Sequence, residues 1–270
     1  MIIDGRRIAN EIIEGLATDR ATIPGAVKLG VVMTEGDAAT ASFVRIKERV
    51  ASRLNVALVR EILPASATTD DAIAAVNLLA QKTNGIIVQL PLPATIDTDA
   101  VLRAIPTSHD VDVVNQVVEL TATETTMQRP RAPVAEAISE IFVRYGVAVH
   151  DKNAVVVGAG RLVGMPAAEL LKDLGAIVTI VTLSDGSLES LNEADVVVLG
   201  AGHSGMVTPN MLKEGVVLID AGTSEQGGRV MGDASPECAE VASIFTPVPG
   251  GVGPIAVAMI FKNLFVLLKN

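Results

Sequence analysis

Short runs dense in valine and isoleucine recur along this chain, and helix-length segments of a different rhythm stand between them. "VKLGVVM" (27–33), "VALVREI" (56–62) and "GIIVQL" (85–90) read as strands, alternating with helical patterns over 38–54 and about 70–82. The second of these helices opens at Thr69, Asp70 and Asp71, and a leading helix over about 5–20 gathers Ile8, Ile12 and Leu16 on one face. Such alternation is the mark of βαβ units, in which parallel strands are covered by helices. With 49% hydrophobic residues but only 2% aromatic and no tryptophan, the core has to be aliphatic. That composition suits buried parallel strands.

The second half repeats the grammar more tightly. "NAVVVG" (153–158), "AIVTIVT" (176–182), "ADVVVLG" (194–200) and "GVVLIDAG" (215–222) are separated by helix-length segments. Between the halves, residues 118–133 lose the apolar rhythm and gather Thr and Pro, which marks a domain boundary. The expected domains are 1–120, completed by a last helix over about 253–270, and 121–252, a Rossmann-like doubly wound sheet.

A net charge of −10 and a pI near 4.8 argue against nucleic-acid or membrane-surface binding as the main business. Cys238 stands alone, and His109, His150 and His203 show no metal-ligand spacing, so no metal site is expected. The first apolar stretch carries charge and lacks a signal-peptide core. The most apolar run, "IAVAMIFKNLFVLL", is interrupted by Lys262 and Asn263 and reads as a buried helix. These features point to a cytoplasmic protein.

Four segments could carry chemistry. In the helix at 38–54, Phe43, Ile46, Val50 and Leu54 fall on one side at about 100° per residue, and Arg45, Glu48, Arg49 and Ser52 on the other. Lys47 belongs by angle with the apolar set, either snorkelling out of a core or aimed into a cleft. "VVVGAGRLVGMP" (155–166) is a strand, a glycine turn and a helix start. Gly158, Gly160 and Gly164 would let the backbone approach a pyrophosphate, with Asp185 placed to meet a ribose beyond the next strand. A tight βα turn without a ligand is the alternative. In "GIIVQLPLP" (85–93), Gln89 sits near the carboxyl end of a strand, where α/β sheets collect ligands or where loop backbone simply satisfies a side chain. Asp110 and Asp112 of "HDVDVV" are turn-formers or a functional pair, and the Gly- and Pro-rich "FTPVPGGVGPIAVAM" (245–259) exposes backbone amides ahead of an apolar helix.

Together these segments resemble the bifunctional methylenetetrahydrofolate dehydrogenase/methenyltetrahydrofolate cyclohydrolases, from "IIDGRRIANEI" to the final helix. "VQLPLP" and "TPVPGGVGP" are the most specific matches; "DVDVV" looks like the family's Asp-Val-Asp-Gly segment, and "GAGRLVGMP" stands where it has Gly-Arg-Ser-x-x-Val-Gly-x-Pro. The resemblance implies two α/β domains flanking a cleft that holds both reactions. It implies Lys47, Gln89 and Asp112 as catalytic residues, with Asp112 gripping the pterin edge. Folate contacts are implied from Phe43, Val88, Leu90, Pro91, Pro249, Gly250 and Gly251. Dinucleotide contacts are implied from Gly158, Ala159, Gly160, Arg161, Val163, Gly164, Ser184 and Asp185.

The cofactor is NADP or NAD. Ala159 in place of the family's Arg, together with Asp185, leans toward NAD, because a carboxylate repels a 2′-phosphate and suits a free hydroxyl. A homodimer follows from the resemblance alone. Phe43 replaces a Tyr and cannot hydrogen-bond Lys47; Val113 replaces a Gly, Arg131 and Ala132 a Cys-Thr pair, and Ala256 a Thr. The alternatives are a chain that keeps one activity, or a folate- or nucleotide-binding paralogue without turnover. A further one is a two-domain dehydrogenase resembling shikimate dehydrogenase, which leaves "VQLPLP" and "TPVPGGVGP" unexplained.

Overall fold

A computed structural model describes residues 1–35, 38–115, 129–185, 187–226 and 229–269, without the side chains of 38–42 and 226. Two compact units emerge: residues 11–133 with 257–270, and residues 1–10 with 134–256. The linker expected over 118–133 lies outside the described residues as far as residue 128.

In the first unit, strands β1 (Val27–Thr34), β2 (Val56–Leu63) and β3 (Gly85–Val88) form a parallel sheet in the order β2-β1-β3. Helices α2 (Ala38–Arg53) and α3 (Thr69–Ala80) make the crossovers. Helix α3 buries Ala72, Ala75, Val76 and Leu79, the i, i+3, i+4, i+7 stripe of an amphipathic helix. Its first turn is closed by a capping box in which Thr68 and Asp71 satisfy each other's backbone amides. A short helix α4 (Thr98–Arg103) adds Val101 and Leu102 to the same core.

In the second unit, α5 (Pro133–Tyr145) precedes β4 (Asn153–Val157), α6 (Gly164–Asp173), β5 (Ile177–Val181), β6 (Val196–Leu199) and β7 (Val217–Asp220). A hairpin, β8 (Ser224–Gln226) and β9 (Arg229–Met231), leads to β10 (Ile244–Phe245). The parallel sheet runs β10-β7-β6-β4-β5, a doubly wound order whose direction reverses between β4 and β6. Of the three segments linking β4 to β7 through β5 and β6, only the first holds an α-helix among the described residues; 3-10 turns occupy the others. Their Gly, Pro and Ser-Asp content breaks helical propagation.

Helices α1 (Gly5–Thr22) and α7 (Val252–Lys269) each contribute residues to both units. Helix α7 is long and apolar enough to cross a membrane, yet more than half of it is buried inside the protein. Asn263, within that apolar run, donates through Nδ2 to Val111 O (2.8 Å) and Arg131 O (2.7 Å), so its amide is spent on loop backbone.

Candidate active site

The buried stripe of α2 is turned from the one the sequence suggested. Val44, Lys47, Val50, Ala51 and Leu54 face inward, Phe43 is half-buried, and Ile46 is 40% exposed. A stripe through 44, 47, 51 and 54 keeps the helical repeat and puts Ile46 outside it, which corrects its placement on the apolar face. Lys47 therefore sits in the middle of the buried face, 8% exposed.

Lys47 Nζ donates to Gln89 Oε1 at 2.7 Å. Gln89 follows β3, where its backbone N–H continues the ladder to Val32 O at 2.8 Å. Its side-chain Nε2 donates to Leu90 O at 3.0 Å, which fixes the amide so that the oxygen meets the lysine. The sheet thus sets both partners: α2 brings the amine and the carboxyl end of β3 brings the acceptor.

Asp112 completes the group. Burial pushes its carboxyl up to about 6, against the opposing pull of the Lys47 charge, while the neighbouring Asp110 adds to the rise. Burial likewise holds the Lys47 ammonium below its ordinary range, with the Asp112 charge acting against it. Desolvation outweighs mutual attraction in both, so burial disfavours the charged form of each.

The Asp112 turn is built from two sides. Asp110 runs beside β3, bridged to Ile86, and its buried Oδ2 accepts from Asn115 N at 2.8 Å. Asn115 Nδ2 reaches Ile105 O at 2.8 Å, and Asn263 holds Val111 O. Val111 is fully buried over Gly85, where a Cβ would collide with its Cγ1 at 2.6 Å. Between these anchors Val113 adopts φ 56°, a left-handed conformation that a β-branched residue reaches only at a cost of order 1–3 kcal/mol. Spacing alone showed the two aspartates but not the anchoring role of Asp110, and Asn263 registered only as a break in an apolar run.

Of the remaining folate candidates, Val88 contributes its side chain to the core, Leu90 is half-buried, and Pro91 is exposed beyond a cis Leu90–Pro91 peptide. Pro249, Gly250 and Gly251 belong to the second unit, in a turn closed by Gly251 N to Pro247 O at 2.7 Å. Gly250 has φ 115°, and a Cβ on Gly5, at the start of α1, would overlap Gly251 O.

The glycine turn follows β4, at the point where the sheet order reverses. Gly158 has φ 99°, and a Cβ on Gly164 would overlap Gly158 O. Around Gly160 nothing stands within 4 Å of a built Cβ, so the loop is open there. Val163, the N-cap residue of α6, makes no side-chain cap bond. Met165 N is taken by Gly160 O at 3.1 Å and Pro166 has no N–H, so Gly164 N is the first-turn amide left for an anion among the described residues. Ala159 is exposed and Arg161 half-buried. These residues fit a pyrophosphate on their own geometry. Gly164→Ala is expected to lower nucleotide affinity at least tenfold and to lower Tm, measured by calorimetry and thermal denaturation; unchanged affinity would contradict this reading of the turn.

Asp185 is exposed at the end of β5, and Thr182 N and Oγ1 donate to its Oδ2 at 2.5 and 2.9 Å. Those bonds hold its carboxyl below the usual range, so it is ionised at neutral pH. Ser184 Oγ lies 2.6 Å from Thr182 Oγ1. Just after β9, the buried Asp233 accepts from the amides of Ala201, Gly202 and His203 at 2.6–3.1 Å, fixing the chain after β6. Beside it, burial raises the Asp220 carboxyl to about 7. Neither residue stood out in the sequence, where each is one acidic side chain among glycines and strand residues. Among the described residues no cluster of His, Cys, Asp and Glu could hold a metal ion.

Two family models match the chain: the tetrahydrofolate dehydrogenase/cyclohydrolase catalytic domain over residues 3–112, and the NAD(P)-binding domain of the same family over residues 132–270. The bifunctional protein FolD of Halothermothrix orenii is 38% identical, over 97% of this chain and 95% of that protein. The crystal structure of Trypanosoma brucei methylenetetrahydrofolate dehydrogenase-cyclohydrolase, complexed with NADP and an inhibitor, superposes with a TM-score of 0.89. It is 30% identical and the match covers 100% of this chain and 97% of that one. A shikimate dehydrogenase from Peptoclostridium difficile shares the fold alone, with a TM-score of 0.51 at 13% identity over 90% of this chain and 92% of that one.

Proposed function

The chain belongs to the tetrahydrofolate dehydrogenase/cyclohydrolase family, and on that premise we propose how its residues divide two reactions. The first oxidises 5,10-methylenetetrahydrofolate to the 5,10-methenyl form with a nicotinamide dinucleotide. The second hydrolyses the methenyl form to 10-formyltetrahydrofolate. The observation that carries this reading is the buried Lys47 amine, held by Gln89 and balanced against Asp112.

A carboxylate accepts two parallel hydrogen bonds from the amino-pyrimidine edge of a pterin, so ionised Asp112 both holds and orients the folate. In hydrolysis, water forms a C–O bond to the methenyl carbon and must lose a proton. Lys47, with its ammonium disfavoured by burial, accepts that proton, and Gln89 Oε1 keeps the amine in place. The proton then returns to the folate nitrogen as its C–N bond to the former methenyl carbon breaks. The hydroxyl on that carbon releases its remaining proton to solvent as the C=O bond forms, leaving the formyl group on the other nitrogen. The dinucleotide, when bound, supplies the hydride acceptor for the oxidative half. For that half the protein contributes position: the glycine turn from Gly158 to Gly164, with the Gly164 amide at the start of α6, would hold the pyrophosphate. Phe43 and Leu90 complete the folate contacts of the first unit in this reading, with Phe43 stacking on an aromatic ring. The protein works in the cytoplasm as a homodimer, a reading inherited from family resemblance.

The preferred dinucleotide is NAD. Asp185 is anionic and Ala159 offers no cation, an arrangement that suits a ribose hydroxyl and repels a 2′-phosphate. Nicotinamide reduction is expected with methylenetetrahydrofolate, and kcat/KM is expected to be higher with NAD than with NADP. Asp185→Ser should lower the NAD:NADP ratio of kcat/KM about tenfold, the effect of roughly 1.4 kcal/mol. No reduction of either dinucleotide would overturn the dehydrogenase assignment, and an unchanged ratio would overturn the role of Asp185.

A further inference from the structure

Asp112 is presented by a turn that its own residues do not favour. Val113 is 37% exposed and gains no core contact in exchange for its left-handed backbone. Something outside the residue has to hold that conformation, and the anchors on both sides of it are visible. Upstream, Asn263 Nδ2 holds Val111 O, and the Val111 side chain is locked over Gly85. Downstream, Asn115 N is held by Asp110 Oδ2, and Asn115 Nδ2 by Ile105 O. Asp110 is 6% exposed, and the nearby backbone amides of residues 112–115 lower its carboxyl pKa against the larger opposing effect of burial. Its Oδ1 makes no full hydrogen bond among the described residues. The carboxyl is thus a buried acceptor that ties down the far end of the turn at Asn115 N.

We propose that Asp110 is a positioning residue for the folate site: its carboxyl pins the 112–115 turn against the left-handed strain at Val113 and so aims Asp112 at the substrate. The inference rests on the folate reading above. Asp110 touches no substrate in it; the residue acts through the backbone that carries Asp112. The strain at Val113 makes the pin necessary, because a relaxed φ at that residue would swing the turn and carry the Asp112 carboxyl away from the Lys47 charge. Glycine adopts a positive φ without the Cβ conflict, so Val113→Gly should make the pin dispensable.

The test compares Asp110→Ala, Asp110→Asn, Val113→Gly and the Asp110→Ala/Val113→Gly double variant. Calorimetric folate affinity and the KM and kcat of both reactions are the readouts. Asp110→Ala is expected to weaken folate affinity and raise KM at least tenfold in both reactions. Asp110→Asn keeps an oxygen for Asn115 N and should stay within about threefold of wild type, a change of under one kcal/mol. The double variant should return to within about threefold of Val113→Gly. Should Asp110→Ala fail to fold, the double variant set against Val113→Gly carries the test alone. Unchanged affinity in Asp110→Ala, or a double variant as weak as Asp110→Ala, would overturn the proposal. A wild-type chain that binds no folate would overturn it together with the functional reading. A wild type that binds folate no better than Asp110→Ala does would overturn this proposal only.

Discussion

Replacing Lys47 by methionine is expected to slow hydrolysis of 5,10-methenyltetrahydrofolate by about 100- to 10,000-fold, the span that a positioned acid–base group contributes. Methionine matches the length and apolar stem of lysine and removes only the amine. The loss should come without collapse of the fold. Lys47 sits on the buried face of α2, and desolvation lowers its pKa, so below the unfolded value of 10.5 the wild-type fold binds that proton less readily than the unfolded chain does. The amine therefore costs stability as pH falls through that window, and methionine relieves this cost while leaving Gln89 Oε1 without its donor. With the two effects opposed, Tm is expected within about 2–4 °C of wild type, the shift that one kcal/mol produces at this size. Asp112, deprived of its neighbouring cation, should titrate above its present value of about 6. Hydrolysis at the wild-type rate in Lys47→Met would remove the lysine from the mechanism.

Asp112→Asn is expected to raise the folate KM of both reactions at least tenfold, since it replaces a charge-assisted acceptor pair worth about 1.5–3 kcal/mol. The pH dependence gives an independent reading. The folded carboxyl titrates near 6 against 3.8 in the unfolded chain, so as pH rises from 3.8 to 6 the unfolded state loses its proton first and stability falls across that window. Asp112→Asn should abolish that decline. It should also abolish the rise of wild-type kcat/KM through pH 6, where the ionised carboxylate becomes available to the pterin. A variant with wild-type KM and an unaltered acid limb would assign the folate grip elsewhere.

Much of this architecture was legible because it rests on repeats. Strands β1 to β7 begin and end within about two residues of the Val- and Ile-rich runs, since burial in a parallel sheet demands such runs. Lys47 was visible as an anomaly of angle and Gln89 as a polar residue at a strand end. The stripe around Lys47 was misjudged by one position, because Val44 and Ile46 are equally apolar and only packing decides which of them is buried. The hairpin of β8 and β9 is too short and too polar to register as apolar periodicity. The anchors of the Asp112 turn had no such signal. Asn263 lies 152 residues from the carbonyl it holds, and the left-handed backbone of Val113 contradicts its own propensity. Tertiary contacts of that range leave no local pattern.

In the proposed mechanism the buried amine of Lys47, Gln89 and Asp112 form a working hydrolytic centre. It is tested most directly by following 5,10-methenyltetrahydrofolate with the wild-type chain between pH 5 and 8, with no dinucleotide present. Decay is expected to be proportional to enzyme concentration, above the buffer rate and rising as pH passes about 6 with ionisation of Asp112. Decay at the buffer rate at every pH would contradict it.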